Sequence, residues 1–204
     1  EDTAVDVDDL PDFIRDFNSI LDENDMYCVH YAHAATGELH LRPIINLKTE
    51  EGTKQFRHIA TEIAHLVKKY DGSLSGEHGD GRLRGEFIAY MIGEKNYDEI
   101  KKLKAAWDVN NIFNPGKIVD APAMDTFLRY KAGQDTPQFD TVLDFSEFNG
   151  MLRTAELCNG SADCRKTEIS GGTMCPSYMA TRDEKHTTRA RANILREVMT
   201  NEED

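Results

Sequence analysis

"YAHAATGELHLRP", residues 31–43, joins two short runs of β-forming residues through the turn-forming segment AATG. The two runs cover residues 26–33 and 38–46, and this arrangement predicts a β-hairpin. Gly37 is the turn residue that can adopt a positive φ angle at low cost. We therefore expect an antiparallel hairpin at the centre of the fold.

Helical patterns lie on both sides of the hairpin. Residues 8–22 open with acidic side chains and have Pro11 in the first turn, and apolar residues then recur at helical spacing. Residues 51–72 carry a second apolar stripe, which ends near Gly72. The order helix, hairpin, helix predicts an α+β fold in which helices cover one face of an antiparallel sheet.

The chain as a whole is predicted to divide into three parts. The first domain covers residues 1–120. Residues 121–142 contain proline and glycine and have no clear periodicity, which indicates a linker or strap. Residues 143–204 are expected to form a small, mainly helical unit with a loop-like cysteine segment. Further helices are expected at residues 86–93, 96–108, 145–157 and 187–199.

The chain of 204 residues is strongly acidic. It has 24 lysine and arginine residues against 37 acidic ones, a formal net charge of -13. This charge repels nucleic-acid phosphates and anionic lipids, so no nucleic-acid partner is expected. No apolar run approaches the roughly 18–20 residues that span a bilayer, and there is no signal segment, so we expect no membrane span and a cytoplasmic location.

His33 and His40 flank the hairpin turn. Opposed residues of a hairpin have β-carbons about 4.5–5.5 Å apart, so both imidazoles could point at one divalent ion. Glu77 would supply a third ligand and leave a position open for water or substrate, as in catalytic zinc sites. The alternative is that the two histidines are ordinary polar residues at the end of a hairpin.

Three of the four cysteines, Cys158, Cys164 and Cys175, lie within 18 residues of one another. Such a local cluster indicates a metal or cofactor in a reducing compartment rather than a disulfide framework. Cys175 is followed by Pro176, a pairing typical of [4Fe-4S] ligation, although the spacing C-x5-C-x10-C-P differs from the commonest bacterial one. The cysteines therefore favour an iron–sulfur cluster.

A [4Fe-4S] cluster needs four ligands, and the segment offers three cysteines. The fourth ligand lies beyond Asp204, or Asp163 or His186 takes its place. The alternative is a structural zinc ion held by the three cysteines and His186, a Cys₃His set that is chemically reasonable. A group of cysteines without any ligand is the remaining interpretation.

Three motifs together resemble one known family. HAATGELHLRP (residues 33–43), SGEHGDGRLR (residues 75–84) and FNPGKI (residues 113–118) are similar to signatures of the C-terminal domain of FAD-linked oxidases of the vanillyl-alcohol oxidase type. That family includes the D-lactate, glycolate and D-2-hydroxyglutarate dehydrogenases. The resemblance covers about residues 8–120 and implies FAD-dependent oxidation of a small 2-hydroxy acid.

The resemblance also implies roles for individual residues. His33, His40 and Glu77 match the ligands of a divalent metal, zinc or manganese, and His78 matches a histidine that takes the proton from the substrate hydroxyl. Asn114 lies in the motif that approaches the flavin. A metal ion on the hydroxyl oxygen beside an imidazole base eases the removal of a hydride and a proton from the acid.

Three arginines near these motifs are candidates for binding the substrate carboxylate. Guanidinium groups bind carboxylates through two parallel hydrogen bonds. Arg42 shares a strand face with His40 because side chains alternate along a strand, and Arg82 and Arg84 follow the Glu-His loop. For each arginine alone, a solvated surface residue is the alternative interpretation.

The hairpin turn departs from the family pattern. Members commonly have Gly-Asp-Gly-Asn between the histidines, whereas this chain has Ala35, Thr36, Gly37 and Glu38. Only Gly37 keeps the conformational freedom of the two family glycines. Glu38 replaces the Asn and alters a contact on the substrate side, which leaves the identity of the acid open.

The cysteine segment and the helix that follows it resemble the iron–sulfur domain fused behind the oxidase in certain large FAD-linked oxidases. This resemblance covers about residues 145–200. It implies that electrons pass from the acid to FAD, held mainly by an upstream domain, and then through a 4Fe-4S cluster to a quinone or electron carrier. Membrane association is expected only through that acceptor, and the chain alone is expected to be inactive. The alternative is a non-catalytic, zinc-stabilised interaction module.

Overall fold

The computed structural model of the protein describes residues 2–171 and 174–200. The chain divides into two compact units, and the boundary in the sequence falls between Gly133 and Gln134, inside the predicted linker. The first unit contains β1 (Thr3–Ala4), α1 (Leu10–Glu23), β2 (Cys28–Ala32), β3 (Glu38–Pro43), α2 (Glu50–Lys69), α3 (Ile88–Ile92) and α4 (Glu94–Trp107). The second contains α5 (Met151–Glu156), α6 (Pro176–Thr181) and α7 (Thr188–Thr200). Within the described ranges, none of these helices has the length and apolar composition needed to cross a membrane.

The predicted hairpin is confirmed, and it forms most of a three-stranded antiparallel sheet with the strand order β1-β3-β2. The turn has φ angles of 62° at Ala35 and 74° at Gly37. A β-carbon at Gly37 would lie 2.0 Å from the carbonyl oxygen of Val5, so the close approach of the β1 segment also requires glycine here. Strand β1 was not predicted, because two residues are too few for a recognisable alternation.

The α+β prediction is confirmed, because α1 and α2 share one hydrophobic core with the sheet. Phe13 and Phe17 of α1, Val67 of α2 and Leu41 of β3 are each at most 2% exposed. Burial of each such side chain contributes roughly 1.5–3 kcal/mol to stability. The helical periodicity of the two segments therefore correctly identifies the face that packs on the sheet.

The two faces of β3 have different surroundings. Leu39 and Leu41 belong to the core, so Glu38 and His40 lie on the opposite face, because side chains alternate along a strand. Both polar residues are nevertheless buried, at 6% and 4% exposure. A buried carboxylate requires partners that compensate for its lost hydration. This buried polar patch on the second face of the sheet is where the candidate site forms.

The segment that follows α4 packs against the rest of the first unit. Residues 108–133, which form this segment, contain no helix or strand. Arg57 of α2 donates a hydrogen bond from Nε to Asp125 Oδ2 at 2.6 Å, and its guanidinium lies 3.2 Å from Glu86. Met124 is 3% exposed. The first part of the predicted strap is therefore held against α2.

In the second unit, α5 packs against α7, and Leu152 of α5 is 2% exposed. The prediction of a loop-like cysteine segment is wrong in one respect, because α6 begins at Pro176, directly after Cys175. Proline is favoured at the first position of a helix, where its missing N–H group is not needed. The Cys-Pro pair, which the sequence analysis interpreted only as a ligand motif, thus marks the start of a helix.

Candidate metal centre

Four side chains of the kinds that bind metals converge beside the hairpin turn. His33 follows β2, Glu38 and His40 lie on β3, and Glu77 lies in the loop after α2. One donor atom from each residue lies within 4.8 Å of the other three. The structure therefore brings together the three sequence-predicted ligands, His33, His40 and Glu77, and adds Glu38 to them.

The distances between donor atoms fit a single divalent ion. His40 Nε2 lies 3.2 Å from Glu77 Oε1, and His33 Nε2 lies 3.4 Å from the same oxygen. Two ligands bound at about 2.1 Å are about 3.0 Å apart at a right angle and about 3.4 Å apart at a tetrahedral angle. Imidazole nitrogen and carboxylate oxygen are also suitable ligands for zinc and manganese. The residues present therefore fit such an ion.

The donor set has a buried half and an open half. The side chains of His40 and Glu38 are 5% and 8% exposed, whereas those of His33 and Glu77 are 43% and 45% exposed. Solvent therefore reaches one side of the cluster while the sheet shields the other. A metal site with an open side can exchange one of its ligands, which catalysis at a metal requires.

Asp2, which the sequence analysis did not select, holds the loop that carries Glu77. It is fully buried, and its carboxylate accepts hydrogen bonds from the backbone N–H groups of Glu77 at 2.9 Å and His78 at 3.1 Å and from the Ser75 hydroxyl at 2.7 Å. Arg84 lies 3.1 Å away. Burial alone would raise the pKa of Asp2, but these hydrogen bonds and the Arg84 charge outweigh it and lower the pKa to about 2. Asp2 is therefore ionised and fixes the loop.

Gly76 allows this loop to lie close to the hairpin. A β-carbon at Gly76 would lie 2.6 Å from Glu38 Cγ. The Gly76 N–H group donates a hydrogen bond to the backbone carbonyl oxygen of Asp2 at 2.7 Å. The missing side chain thus lets Glu77, the next residue, approach Glu38.

His78 lies at the edge of the cluster. Its Nε2 atom is 3.0 Å from Glu77 Oε1, and its ring centroid is 5.4 Å from that of His40. Partial burial opposes the ionisation of Glu77, but the hydrogen bond from His78 and the nearby His33 hold the pKa of Glu77 below its usual value. An imidazole in this position can exchange a proton with a molecule bound at the open side of the cluster.

Tyr31 is a second neighbour that the sequence analysis did not select. Its ring stacks on His40, with centroids 5.6 Å apart and 20° between the planes, and it meets His33 edge-on at 5.8 Å. Ring contacts of this kind stabilise one orientation of each imidazole. The hairpin register pairs Tyr31, and not His33, directly with His40, so the prediction that the two histidines are opposed residues is wrong. Their rings nevertheless lie 5.3 Å apart, because diagonal neighbours on one face of a sheet are also within reach of each other.

The three candidate arginines have different surroundings. Arg84 pairs with Asp2 and donates to the carbonyl oxygen of Gly79 at 2.6 Å. Arg82 donates to the carbonyl oxygen of Thr126. These contacts give Arg82 and Arg84 a part in holding the loops around the site. Arg42 is an exposed residue of β3.

A cavity of about 540 Å³ in the first unit connects several of these residues. Its lining includes His78, Arg42 and Arg84 together with apolar side chains such as Leu41 and Ile59. Mostly apolar cavities with a few polar groups are the usual form of small-molecule sites, and this volume is typical of them. The candidate base and two of the candidate arginines therefore border one space.

Asn114 lies in the loop after α4. Asp108 holds this loop by accepting hydrogen bonds from the backbone N–H groups of Ile112 at 2.8 Å and Phe113 at 2.9 Å. Asn114 has a φ angle of 51°, a left-handed conformation that asparagine tolerates better than most residues. Its side chain is exposed on the first unit.

Cys164 and Cys175 lie together in the second unit. Both are buried with Tyr178, at 6% and 4% exposure, whereas Cys158 is partly exposed. A hydrogen bond from the backbone of Tyr178 lowers the pKa of Cys175, although burial opposes this. The deprotonated sulfur is the form that binds metals.

The donor atoms that a single zinc ion at the cysteines would need are not close together. Over the part of the chain that the structure describes, no three donor atoms of the cysteines and His186 lie within 4.8 Å of one another, unlike those at the hairpin. A 4Fe-4S cluster has no such requirement, because each cysteine binds a different iron atom. Residues 172–173 of this segment and residues 201–204 lie outside the described residues.

Comparison with protein families gives one match. The family described as "FAD linked oxidases, C-terminal domain" matches residues 1–118, which is most of the first unit. The match contains every candidate residue of the hairpin site and also the motif of Asn114.

Comparison with individual proteins extends the match into the second unit. A D-2-hydroxyglutarate dehydrogenase of Pseudomonas putida is 34% identical over 198 residues, which are 97% of this chain and 19% of that protein. One of Escherichia coli is 32% identical over 197 residues, with the same two shares. The glycolate oxidase subunit GlcD of Bacillus subtilis is 27% identical over 118 residues, 58% of the chain and 25% of that protein. The chain thus spans about a fifth of the length of the first two relatives.

Proposed function

The chain belongs to the family of FAD-linked oxidase C-terminal domains, and from this premise we propose that it supplies the metal-binding half of an active site that oxidises a D-2-hydroxy acid with FAD. The observation that supports the proposal most strongly is the convergence of His33, His40 and Glu77, with His78 hydrogen-bonded to Glu77. A structural role alone does not require an imidazole beside an open, carboxylate-containing donor set.

The proposed metal ligands are His33, His40 and Glu77. The ion, zinc or manganese, would polarise the hydroxyl group of the acid when bound. The two histidines are held in place by Tyr31, and the loop of Glu77 is held by Asp2. These contacts keep the donor atoms in position before the ion arrives, so less ordering is needed on binding.

His78 is the proposed base for the hydroxyl proton. When His78 donates Nε2–H to Glu77, its Nδ1 atom carries the free lone pair, because a neutral imidazole has one donor and one acceptor nitrogen. Nδ1 would take the hydroxyl proton, and bound FAD would supply the acceptor for the hydride of the α-carbon, which leaves the 2-oxo acid. Glu77 thus has two proposed roles, as a metal ligand and as the group that orients His78.

Arg42 is the proposed partner of the substrate carboxylate. It borders the same cavity as His78, and a guanidinium group binds a carboxylate through two hydrogen bonds. Arg84 borders that cavity as well and pairs with Asp2, and Arg82 donates to Thr126. We assign to Arg82 and Arg84 the secondary role of shaping the substrate site.

The proposed substrate class contains D-lactate, glycolate and D-2-hydroxyglutarate. D-2-hydroxyglutarate is the first acid to test, because the two dehydrogenases of Pseudomonas putida and Escherichia coli named for it match 97% of the chain, whereas GlcD matches 58%. The FAD-binding part is proposed to lie mainly in an upstream domain, with Asn114 approaching the flavin from residues 1–120. Residues 121–142 would connect this domain to the second unit.

Residues 143–204 are proposed to carry electrons away from the flavin. Cys158, Cys164 and Cys175 would bind a 4Fe-4S cluster whose fourth ligand is not yet identified, and a quinone or electron carrier would be the acceptor. Two observations support this proposal. Cys164 and Cys175 are buried together, and the match to the two dehydrogenases continues through the cysteine segment. A cytoplasmic protein that reaches a membrane only through its acceptor is consistent with this role.

A second candidate function is a non-catalytic module stabilised by zinc. The observation that favours it is the fourth donor, Glu38, since structural zinc sites use four protein ligands. The exposure of His33 and Glu77, at 43% and 45%, favours catalysis instead, because a structural zinc site is closed.

The test of the proposed function uses the full-length flavoprotein under anaerobic conditions. We expect the yellow flavin absorbance to bleach with D-2-hydroxyglutarate or another D-2-hydroxy acid. His78→Gln should slow the bleaching by about 10²- to 10⁴-fold, the usual contribution of a general base, while the metal content stays the same. Absence of bleaching with every acid of the class would favour the non-catalytic module.

A further inference from the structure

Glu38 is the buried carboxylate of the donor set, and it is not among the ligands that the sequence predicts. We infer that Glu38 is a fourth protein ligand of the divalent ion, so that the site consists of two imidazoles and two carboxylates. This inference rests on the proposed metal site and extends the catalytic proposal to a residue that it does not so far include.

The positions of the Glu38 oxygen atoms support direct ligation. Glu38 Oε1 lies 3.1 Å from His40 Nε2, and Glu38 Oε2 lies 3.5 Å from His33 Nε2. These distances are close to those from Glu77 Oε1 to the same two nitrogens, 3.2 and 3.4 Å. The two carboxylates therefore surround the same pair of nitrogen atoms at the spacing expected of ligands that share one ion.

Glu38 faces the wrong imidazole nitrogen atoms to be an outer hydrogen-bond partner of the metal-binding histidines. An outer carboxylate accepts a hydrogen bond from the imidazole nitrogen that does not bind the metal. Glu38 and Glu77 instead face the same Nε2 atoms of His33 and His40. If Nε2 binds the ion, Glu38 lies on the metal side of both rings.

Charge and burial also favour a cation between these groups. The Glu38 side chain is 8% exposed, and a buried carboxylate is unfavourable unless a positive charge compensates for its lost hydration. A second carboxylate, that of Glu77, lies within 3.4 Å of the Nε2 atoms of the same two histidines. A divalent ion would neutralise both carboxylates, with the two imidazoles as neutral ligands.

The packing around Glu38 fixes its side chain in this position. Gly76 lies against it, and a β-carbon there would come within 2.6 Å of Glu38 Cγ. Glu38 lies two residues before His40 on β3, so the two side chains share one face of the strand. Strand and loop thus both direct Glu38 toward the donor set.

Four protein ligands would close the site for a tetrahedral zinc ion but not for a six-coordinate ion. A six-coordinate ion such as manganese would keep two positions for other ligands, and the exposed side beside His33 and Glu77 is where they would lie. The second carboxylate makes the ion and its ligands neutral overall, whereas an uncharged residue at this position would leave one positive charge. We therefore expect Glu38 to strengthen metal binding.

The experiment is a competition titration of the whole chain with a chelating indicator, using Mn²⁺ and Zn²⁺ separately. Loss of an outer partner of a metal ligand weakens binding by about 10- to 100-fold. We expect Glu38→Gln, which keeps the shape and removes the charge, to weaken binding by at least about 100-fold. The matched control is Glu156→Gln in the second unit, whose side chain is also 8% exposed and pairs with Arg153. The control should leave metal affinity unchanged.

His40→Ala separates the two hypotheses. If the wild-type chain binds no ion, or if His40→Ala binds as well as the wild type, the proposed metal site is wrong. If His40→Ala loses the ion and Glu38→Gln weakens binding by less than about 100-fold, the metal site stands and the role of Glu38 as a direct ligand is overturned, because a loss of that size is no more than an outer partner causes.

A second measurement does not depend on the folding of a variant. Crystals of the wild-type chain soaked in Mn²⁺ locate the ion by anomalous scattering. An ion within about 2.3 Å of a Glu38 oxygen, the range of carboxylate ligands, supports the inference. An ion bound by His33, His40 and Glu77, with Glu38 beyond bonding distance, contradicts it.

Discussion

The carboxylate of Asp2 accepts a hydrogen bond from the backbone N–H group of Glu77 at 2.9 Å. It accepts a second from the N–H group of His78 at 3.1 Å. One buried side chain beside strand β1 therefore positions both a proposed metal ligand and the proposed base. The geometry of the site depends on this contact between segments that are far apart in the sequence.

The first prediction concerns Asp2→Asn. The pKa of Asp2 is about 2 in the folded protein, against an ordinary value of 3.8, and this difference corresponds to about 2 kcal/mol of stability at neutral pH. Asp2→Asn should therefore lower the free energy of unfolding by about 2 kcal/mol at pH 7, measured by denaturant titration without metal. Asp22→Asn, at an exposed position near the end of α1, should have little effect.

The same carboxylate gives a pH dependence with a definite sign. Because folding lowers the pKa of Asp2, its contribution is present above about pH 4 and disappears as the pH falls through about 2. The stability difference between wild type and Asp2→Asn should shrink over this range. A difference that stays constant from pH 5 to about pH 2 would show that the charge of Asp2 is not the source of its contribution.

The hairpin turn allows a matched pair of glycine variants. Gly37 and Gly133 have similar φ angles of 74° and 76°, but a β-carbon at Gly37 would lie 2.0 Å from the Val5 carbonyl oxygen, whereas at Gly133 nothing lies within 4 Å. Gly133→Ala should lower stability by about 1–2 kcal/mol through backbone strain alone. Gly37→Ala should lower it by clearly more in the same thermal unfolding assay, and equal effects would contradict the packing of β1 against the turn.

Tyr31 is predicted to affect metal affinity without being a ligand. Its ring contacts with His33 and His40 should contribute about 0.5–1.5 kcal/mol, so Tyr31→Ala should weaken metal binding about 2- to 12-fold. Tyr31→Phe keeps the ring and should bind metal almost as well as the wild type. Tyr27→Ala, at a residue 73% exposed, is the control. A phenylalanine variant as weak as the alanine variant would point to the hydroxyl group instead.

Arg57 is predicted to hold the segment after α4. Its guanidinium donates to both oxygens of Asp125, at 2.6 and 2.7 Å, and a bidentate pair of this kind has more geometric specificity than a single contact. Arg57→Ala should increase proteolysis and hydrogen exchange in residues 121–131. Lys102→Ala removes an exposed pair with Glu99 on α4 and should change neither.

The fold was predictable wherever the pattern is local. The hairpin followed from AATG between two β-type runs, and the apolar stripes of α1 and α2 identified the buried helix faces, including Phe13 and Phe17. Strand β1 has only two residues, and its pairing with β3 is a long-range contact that no local pattern contains. The short helix α6 was missed because the Cys-Pro pair was interpreted only as a ligand motif.

The sequence predicted those residues of the candidate site that belong to a recognisable motif. His33, His40, Glu77 and His78 were selected in this way, and the structure brings them together. Asp2 was missed because its partners are about 75 residues away in the sequence. Glu38 was treated as a departure from the family turn, since its position facing the two histidines depends on how the loop packs against the hairpin.

The central claim is that the hairpin binds one divalent ion, and metal content per chain tests it most directly. The chain is purified anaerobically without a metal-chelating resin, and zinc and manganese are counted separately from iron by elemental analysis. We predict one zinc or manganese ion per wild-type chain, none in His40→Ala, and one in the control His65→Ala on α2. The same zinc and manganese content in wild type and His40→Ala would contradict the account.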